Sequence, residues 1–137
     1  MTSLTVGNSN SSATARIDGS TVTVTDTINI GNGTSNIRWN TLQVNSGSLT
    51  VSGATGIQLS THTTVANLSQ LRLTGGTATT EAINFGAAAS VADSRGEVEI
   101  RSGGTLYVGS GGVDIVSTNV YRSEERRVGK ECLRLCR

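Results

Sequence analysis

Proline is absent from all 137 residues of this chain, and aromatic side chains supply only 3% of it. Both cysteines, Cys132 and Cys136, and the single lysine, Lys130, fall in residues 130–137. Each scarcity excludes something. Residues 1–121 have no disulfide framework available to them. Their basic groups are five dispersed arginines, Arg16, Arg38, Arg72, Arg95 and Arg101, against seven carboxylates, Asp18, Asp26, Glu81, Asp93, Glu97, Glu99 and Asp114. A nucleic-acid surface needs clustered cations to displace phosphate counterions, so no nucleic-acid partner is expected. No apolar run approaches the ~20 residues that span a bilayer, so this segment is not expected to insert into a membrane. The opening "MTSLTVGNSN" has neither the basic nor the apolar region of a signal peptide.

What is abundant is Thr, Ser, Asn and Gly, with 17 glycines in all and a hydrophobic fraction of 35%. That composition alone reads as disorder. The placement of the apolar residues overturns it. Short units that alternate apolar and polar residues end again and again on Gly, Asn or Ser: "ARIDG", "INIGNG", "LQVNSG", "LTVSG", "LRLTGG", "VEIRSGG". This is the strand signal at very short length, punctuated by turns.

The units recur in step. A first pair occupies 15 and 17, 42 and 44, 71 and 73, 98 and 100; a second pair starts at 22, 49, 78 and 106; a third at 28, 57, 83 and 113. A single apolar residue follows in each cycle at Ile37, Val65, Val91 and Val120. Of these 28 positions only Thr80 is not apolar, where chance placement at this composition would fill about ten. A period near 28 residues with three strands and Gly turns predicts an all-β fold. It is expected to be a right-handed parallel β-helix, or β-solenoid, of about four coils beginning near 15, 42, 71 and 98. Residues 1–121 form this single unit. "LTVG" at 4–7 reads as the third strand of an earlier coil, so the chain is expected to be a piece of a longer array.

Outward positions form columns as well. Arg16, Gln43, Arg72 and Glu99 stand in one; Thr23, Thr50, Thr79 and Tyr107 in another; Asn29, Gln58, Asn84 and Asp114 in a third. No like charges are vertical neighbours, as cross-strand energetics favour. The third column has the composition of an amide ladder.

The chemistry is sparse. His62 stands alone in "LSTHTTV" and has no nucleophile or metal shell near it in sequence. Glu97 and Glu99 share one outward strand face and are the best pair for acid–base or cation work. Arg72, Arg95 and Arg101 around them favour a salt-bridged exterior instead. "GSGGVDI" at 109–115 matches part of a calcium-binding nonapeptide, but a calcium roll needs that unit in tandem. The sequons at Asn10, Asn32 and Asn67 are what Asn/Ser/Thr-rich sequence produces by chance. Thr21, Thr23 and Thr25 stack toward Ser48, Thr50 and Ser52 in the Thr array seen on ice-binding solenoids, interrupted here by Glu81 and Tyr107. No catalytic, cofactor-binding or metal-ligating residue is nominated.

"GSLTVSG" at 47–53 and "GGTLYVGSGG" at 103–112 are similar to the G-x-L-x-V-x-G-G elements of bacterial autotransporter and adhesin-type surface proteins, and residues 3–120 resemble their repeats. The resemblance implies a secreted or cell-surface stalk without catalytic residues, located outside the cell. Its partners would be a host surface, glycan or matrix. Phage tail-fibre or tailspike β-helices are the second resemblance. Polysaccharide-degrading β-helix enzymes, lyases or hydrolases, are the third. "RSEERRVGKEC" at 122–132 breaks every column. It resembles, at each position, the in-frame translation of a common sequencing-library adapter, which implies that 122–137 is a non-native tail, poorly ordered or loosely attached. Cys132 and Cys136 would then belong to that tail, and alone they supply two ligands of the four a structural zinc needs.

Overall fold

Alternation at period two carries Leu, Ile and Val to one side of an extended chain, and burying that side selects strand over helix. The computed structural model describes residues 1–7, 12–31, 39–60, 68–86 and 95–115. Within them lie β1 (Leu4–Val6), β2 (Ala13–Ile17), β3 (Ser20–Val24), β4 (Thr27–Ile30), β5 (Trp39–Val44) and β6 (Gly47–Val51). There follow β7 (Gly56–Leu59), β8 (Leu68–Leu73), β9 (Thr77–Phe85), β10 (Arg95–Ile100) and β11 (Thr105–Ile115). Among the described residues no helix is long and apolar enough to cross a membrane.

Each strand pairs in parallel with the strand one turn away. The first strands stack in the order β10-β8-β5-β2, a four-stranded sheet. Second and third strands form the other sheet, in the order β1-β4-β7-β9-β6-β3, with β11 also laid on β9. The two columns join in one sheet because β9 runs through both without a break. The chain is a parallel β-solenoid: four strand sets separated by three turns, each about 4.8 Å above the last.

The register is the one the repeats predict. Ala15 lies beside Leu42, Leu42 beside Leu71 and Leu71 beside Val98, turns of 27, 29 and 27 residues. Val22, Leu49, Ala78 and Leu106 form the second column, and Ile28, Ile57, Ile83 and Val113 the third. "LTVG" does enter as a third strand, with β1 on β4 and Leu4 beside Ile28. The interior is aliphatic: Val24, Ile28, Ile30, Leu42, Val44, Ile57, Leu59, Leu71 and Leu73 are wholly enclosed. Phe85 is the one aromatic ring in this core. A side chain at Gly96 would come within 2.5 Å of that ring, so glycine there leaves it room. Thr80, the lone polar occupant of the columns, is also buried, and its hydroxyl donates to the Ala82 carbonyl at 3.0 Å.

The corners decide where each coil turns. After the third strand the chain passes through Gly7, Gly31, Ser60 and Gly86, all at positive φ (82, 72, 56 and 75°). This is the left-handed region that costs an L side chain steric strain. Ser60 is the non-glycine of the column. The ladder continues through it, with Gly31, Ser60 and Gly86 donating their N–H to the carbonyls of Val6, Ile30 and Leu59 at 2.9, 3.0 and 2.8 Å. The other corner uses Gly19, Gly47 and Gly103 at positive φ, as the recurrence of glycine after the first strand predicts.

Two features depart from the expected three short strands per coil. In the third coil only Glu81 and Ala82 separate Thr80 from Ile83, too few for a turn, and the chain continues as the nine-residue β9. In the fourth, β11 follows β9, and Gly109, Ser110 and Gly111 bulge out opposite Glu81, between the pairs Val108↔Thr80 and Gly112↔Ala82. The calcium-like "GSGGVDI" is therefore bulge and strand. The fourth apolar column (Ile37, Val65, Val91, Val120) and the tail at 122–137 lie outside the described residues.

Candidate functional site

The most structured exterior chemistry sits on the outer face of the four-stranded sheet. Inward Leu42 and Leu71 fix the parity of their strands, so Trp39, Thr41 and Gln43 project outward from β5, and Gln70 and Arg72 from β8. β10 adds Glu97 and Glu99, and Arg101 follows it. Register sets these in rows: Thr41, Gln70 and Glu97 in one, Gln43, Arg72 and Glu99 in the next. All of these but Gln43 line an open groove of about 490 Å³, with Trp39 at one end.

Glu99 is the electrostatic centre of this face. Arg72 Nε donates to its Oε2 at 2.6 Å and Arg101 Nε to its Oε1 at 2.6 Å. Gln70 Nε2 adds a longer hydrogen bond of 3.3 Å to Oε2. Burial pushes the Glu99 carboxyl pKa up. The hydrogen bonds from Arg101 and Arg72, together with their positive charges, outweigh that and hold it below its ordinary value. A carboxylate held on both oxygens is poorly placed to act as a base or to give up its lone pairs to a cation. Of the two glutamates singled out from sequence, Glu99 is thus structural. Glu97 differs: among the described residues nothing hydrogen-bonds or ion-pairs with its carboxylate, and it opens onto the groove beside Gln70. No three His, Cys, Asp or Glu among the described residues converge as metal ligands.

Two further faces were legible as columns. On the second strands Thr21 lies beside Ser48, and Thr23 beside Thr50 and then Thr79, with Ser48 Oγ donating to Thr21 Oγ1 at 3.2 Å. Tyr107, 60% exposed, ends the Thr column. On the third strands Asn29, Gln58, Asn84 and Asp114 align as expected, but Gln58 and Asn84 do not bond one another. Both amides donate to the Thr55 carbonyl, at 2.8 and 2.9 Å. The longer corner of the second coil presents that carbonyl to them, and it displaces the amide ladder. His62, Asn10, Asn32 and Asn67 lie outside the described residues.

Sequence reasoning missed Trp39 and the buried polar row behind it. Ala13, Asn40, Ser69 and Gly96 are in register on the inner side of the sheet. Asn40 Oδ1 accepts from Ala13 N–H at 3.2 Å, and Ser69 Oγ donates to the Ile30 carbonyl at 2.6 Å. The signal for Trp39 was parity: counting back from Leu42 in steps of one places it outward, two positions before Thr41.

No protein-family model, curated protein or solved structure matches the chain. Fold and surface are therefore what bear on function, and they define a β-solenoid carrying a groove on one sheet face.

Proposed function

We propose that this chain is a non-enzymatic structural and adhesive stalk segment of a secreted or cell-surface bacterial repeat protein. The observation that supports this is the constancy of the coil. Four successive strand sets keep one aliphatic interior and register-matched outer columns, so a continuous outer face whose side chains vary from coil to coil is carried along an axis. Such a body extends a binding face without needing a closed pocket, and each added coil contributes another hydrogen-bonded layer. The adhesin-type elements at 47–53 and 103–112 agree with it, and an extracellular location with a host surface, glycan or matrix as partner follows from the same reading.

The test is retention under flow. Beads coated with the full chain are passed over surfaces bearing mucin, collagen or plant and bacterial polysaccharides, and the same polysaccharides are assayed for released reducing or unsaturated ends. Retention on at least one surface with no released ends is expected. Cleavage of any polysaccharide, or no retention on all of them, overturns the proposal.

A further inference from the structure

We infer that the groove on the four-stranded sheet is a binding site for a neutral, flat glycan chain of β-linked pyranoses, with Trp39 as its stacking platform and Glu97, Gln70 and Thr41 as its hydrogen-bonding row. The inference rests on the adhesive reading and names the ligand class.

Three observations carry it. Trp39 is 39% exposed at the end of the groove, whereas Leu42, Val44, Leu71 and Leu73 on the same strands β5 and β8 are wholly enclosed. An indole face left in water beside polar groups suits a ligand that is apolar on its ring face and polar at its edge, which is the character of a pyranose. The hydrogen-bonding groups are preorganised, since Thr41, Gln70 and Glu97 stand on three adjacent parallel strands about 4.8 Å apart. From Trp39 to Glu97 is two strands across and two residues along, roughly 12 Å by the strand spacings. That is an extended row, suited to successive rings of a chain more than to a single small molecule.

Charge selects among glycans. Arg72 and Arg101, the two arginines that line the groove, are both committed to Glu99, so neither lining guanidinium is left over to neutralise a uronate or sulfate. Arg95, outward on β10 in the row of Trp39, is exposed and unpaired among the described residues but lies outside the lining. Glu97, with no partner among the described residues, would repel an anionic sugar at close range and accept hydroxyl protons from a neutral one. Gln70, 6% exposed, forms the floor of the groove, its Nε2 already shared with Glu99. A peptide ligand would need an open strand edge or side-chain pockets, and the groove is an open sheet face whose backbone is already paired on both sides at β8.

The chain has a single tryptophan, so selectively excited tryptophan emission reports this groove alone. Cellohexaose and xylohexaose, both neutral, and hexagalacturonate, anionic, are titrated into the full chain, with calorimetry on the variants. A saturable emission change with a neutral hexasaccharide is expected. Trp39→Ala should weaken binding about tenfold and Glu97→Gln about three- to tenfold, while Tyr107→Ala on the other sheet leaves it unchanged. Far-UV circular dichroism verifies that each variant keeps its strands. No response to either neutral hexasaccharide, equal or tighter binding of hexagalacturonate, or wild-type affinity in Trp39→Ala each overturns the assignment. Bead retention separates this from the broader reading. If Trp39→Ala beads are held as firmly as wild type, the groove assignment fails and adhesion stands; if wild-type beads are never held while a hexasaccharide binds, adhesion fails and the groove stands.

Discussion

Replacing Ser60 by glycine and, separately, by alanine should reverse the usual order of those two residues. At an ordinary extended position glycine is the less stable by about 0.5–1 kcal/mol, because it has more backbone freedom to lose on folding. Ser60 sits at φ 56° between Gly31 and Gly86 in a column otherwise made of glycine. A Cβ in that region costs about 1–2 kcal/mol, and alanine keeps this strain while glycine sheds it. Both variants lose the hydroxyl, whose Oγ lies 2.6 Å from the Arg95 carbonyl and 2.8 Å from Ser69 Oγ. That hydroxyl has one proton to give, so its loss costs about 1–2 kcal/mol in either variant. Ser69 still donates to Ile30 and still accepts the N–H of residue 60 at 3.0 Å, which leaves its own bonds intact. The net expectation is wild type most stable and Ser60→Gly above Ser60→Ala by about 0.5–1 kcal/mol. Urea unfolding followed by far-UV circular dichroism, with midpoints compared at a common slope, measures the order. If alanine equals or exceeds glycine, the left-handed corner is wrongly assigned.

Leu42→Ala should cost about 3–5 kcal/mol, since the side chain is fully enclosed between Ala15 and Leu71; a loss under about 1 kcal/mol by urea unfolding would contradict the stacked core. Gly47→Ala combines φ 83° with a Cβ 2.2 Å from the Ser20 carbonyl oxygen and should cost more than about 2 kcal/mol. Gly112→Ala at φ 65° meets nothing within 4 Å and should cost only about 1 kcal/mol, so the pair separates strain from collision in thermal melts. Glu99 has a lowered pKa in the fold. Its contribution is therefore present above the unfolded carboxylate value and lost as pH falls through the depressed folded one. Glu99→Gln should destabilise most near neutrality and converge with wild type in acid, as read from urea midpoints across the acid range.

The architecture was legible because its rules are local and repeated. Leu42 and Val44 alternate with Gln43, glycines mark the corner that follows, and a shift of one residue would turn every Leu outward. Such constraints give the register of Ala15, Leu42, Leu71 and Val98 without coordinates. Strand ends were harder to read. β5 begins at Trp39 and β8 at Leu68, ahead of the apolar pairs that announce them, because the inward residues there are Asn40 and Ser69, which carry no hydrophobic signal. Their burial is tolerated only because hydrogen bonds satisfy them, Asn40 from Ala13 on the adjacent strand and Ser69 to Ile30 at the end of β4. The site followed the same division. Pairing of Glu99 with Arg72 follows from register, but the groove needs Trp39 and Gln70, whose outward parity means little until neighbouring coils are placed beside them. The fusion of two strands in β9 depends on a count of two residues between columns, a difference that repeat alignment absorbs as a gap.

The parallel ladder also dictates how such a chain can acquire its structure. The ladder partners sit about one turn apart, 27 residues from Ala15 to Leu42 and 29 from Leu42 to Leu71, so among the described strands no hairpin acts as a local seed. The first two coils must close a long loop against chain entropy before either gains an aliphatic neighbour. Once they have, the exposed edge is a template, and the next coil closes a loop of the same length against a partner already in place. Growth is then directional and layer by layer, with one slow nucleation followed by faster additions. A chain built this way can lengthen by duplicating a turn without inventing a new folding route.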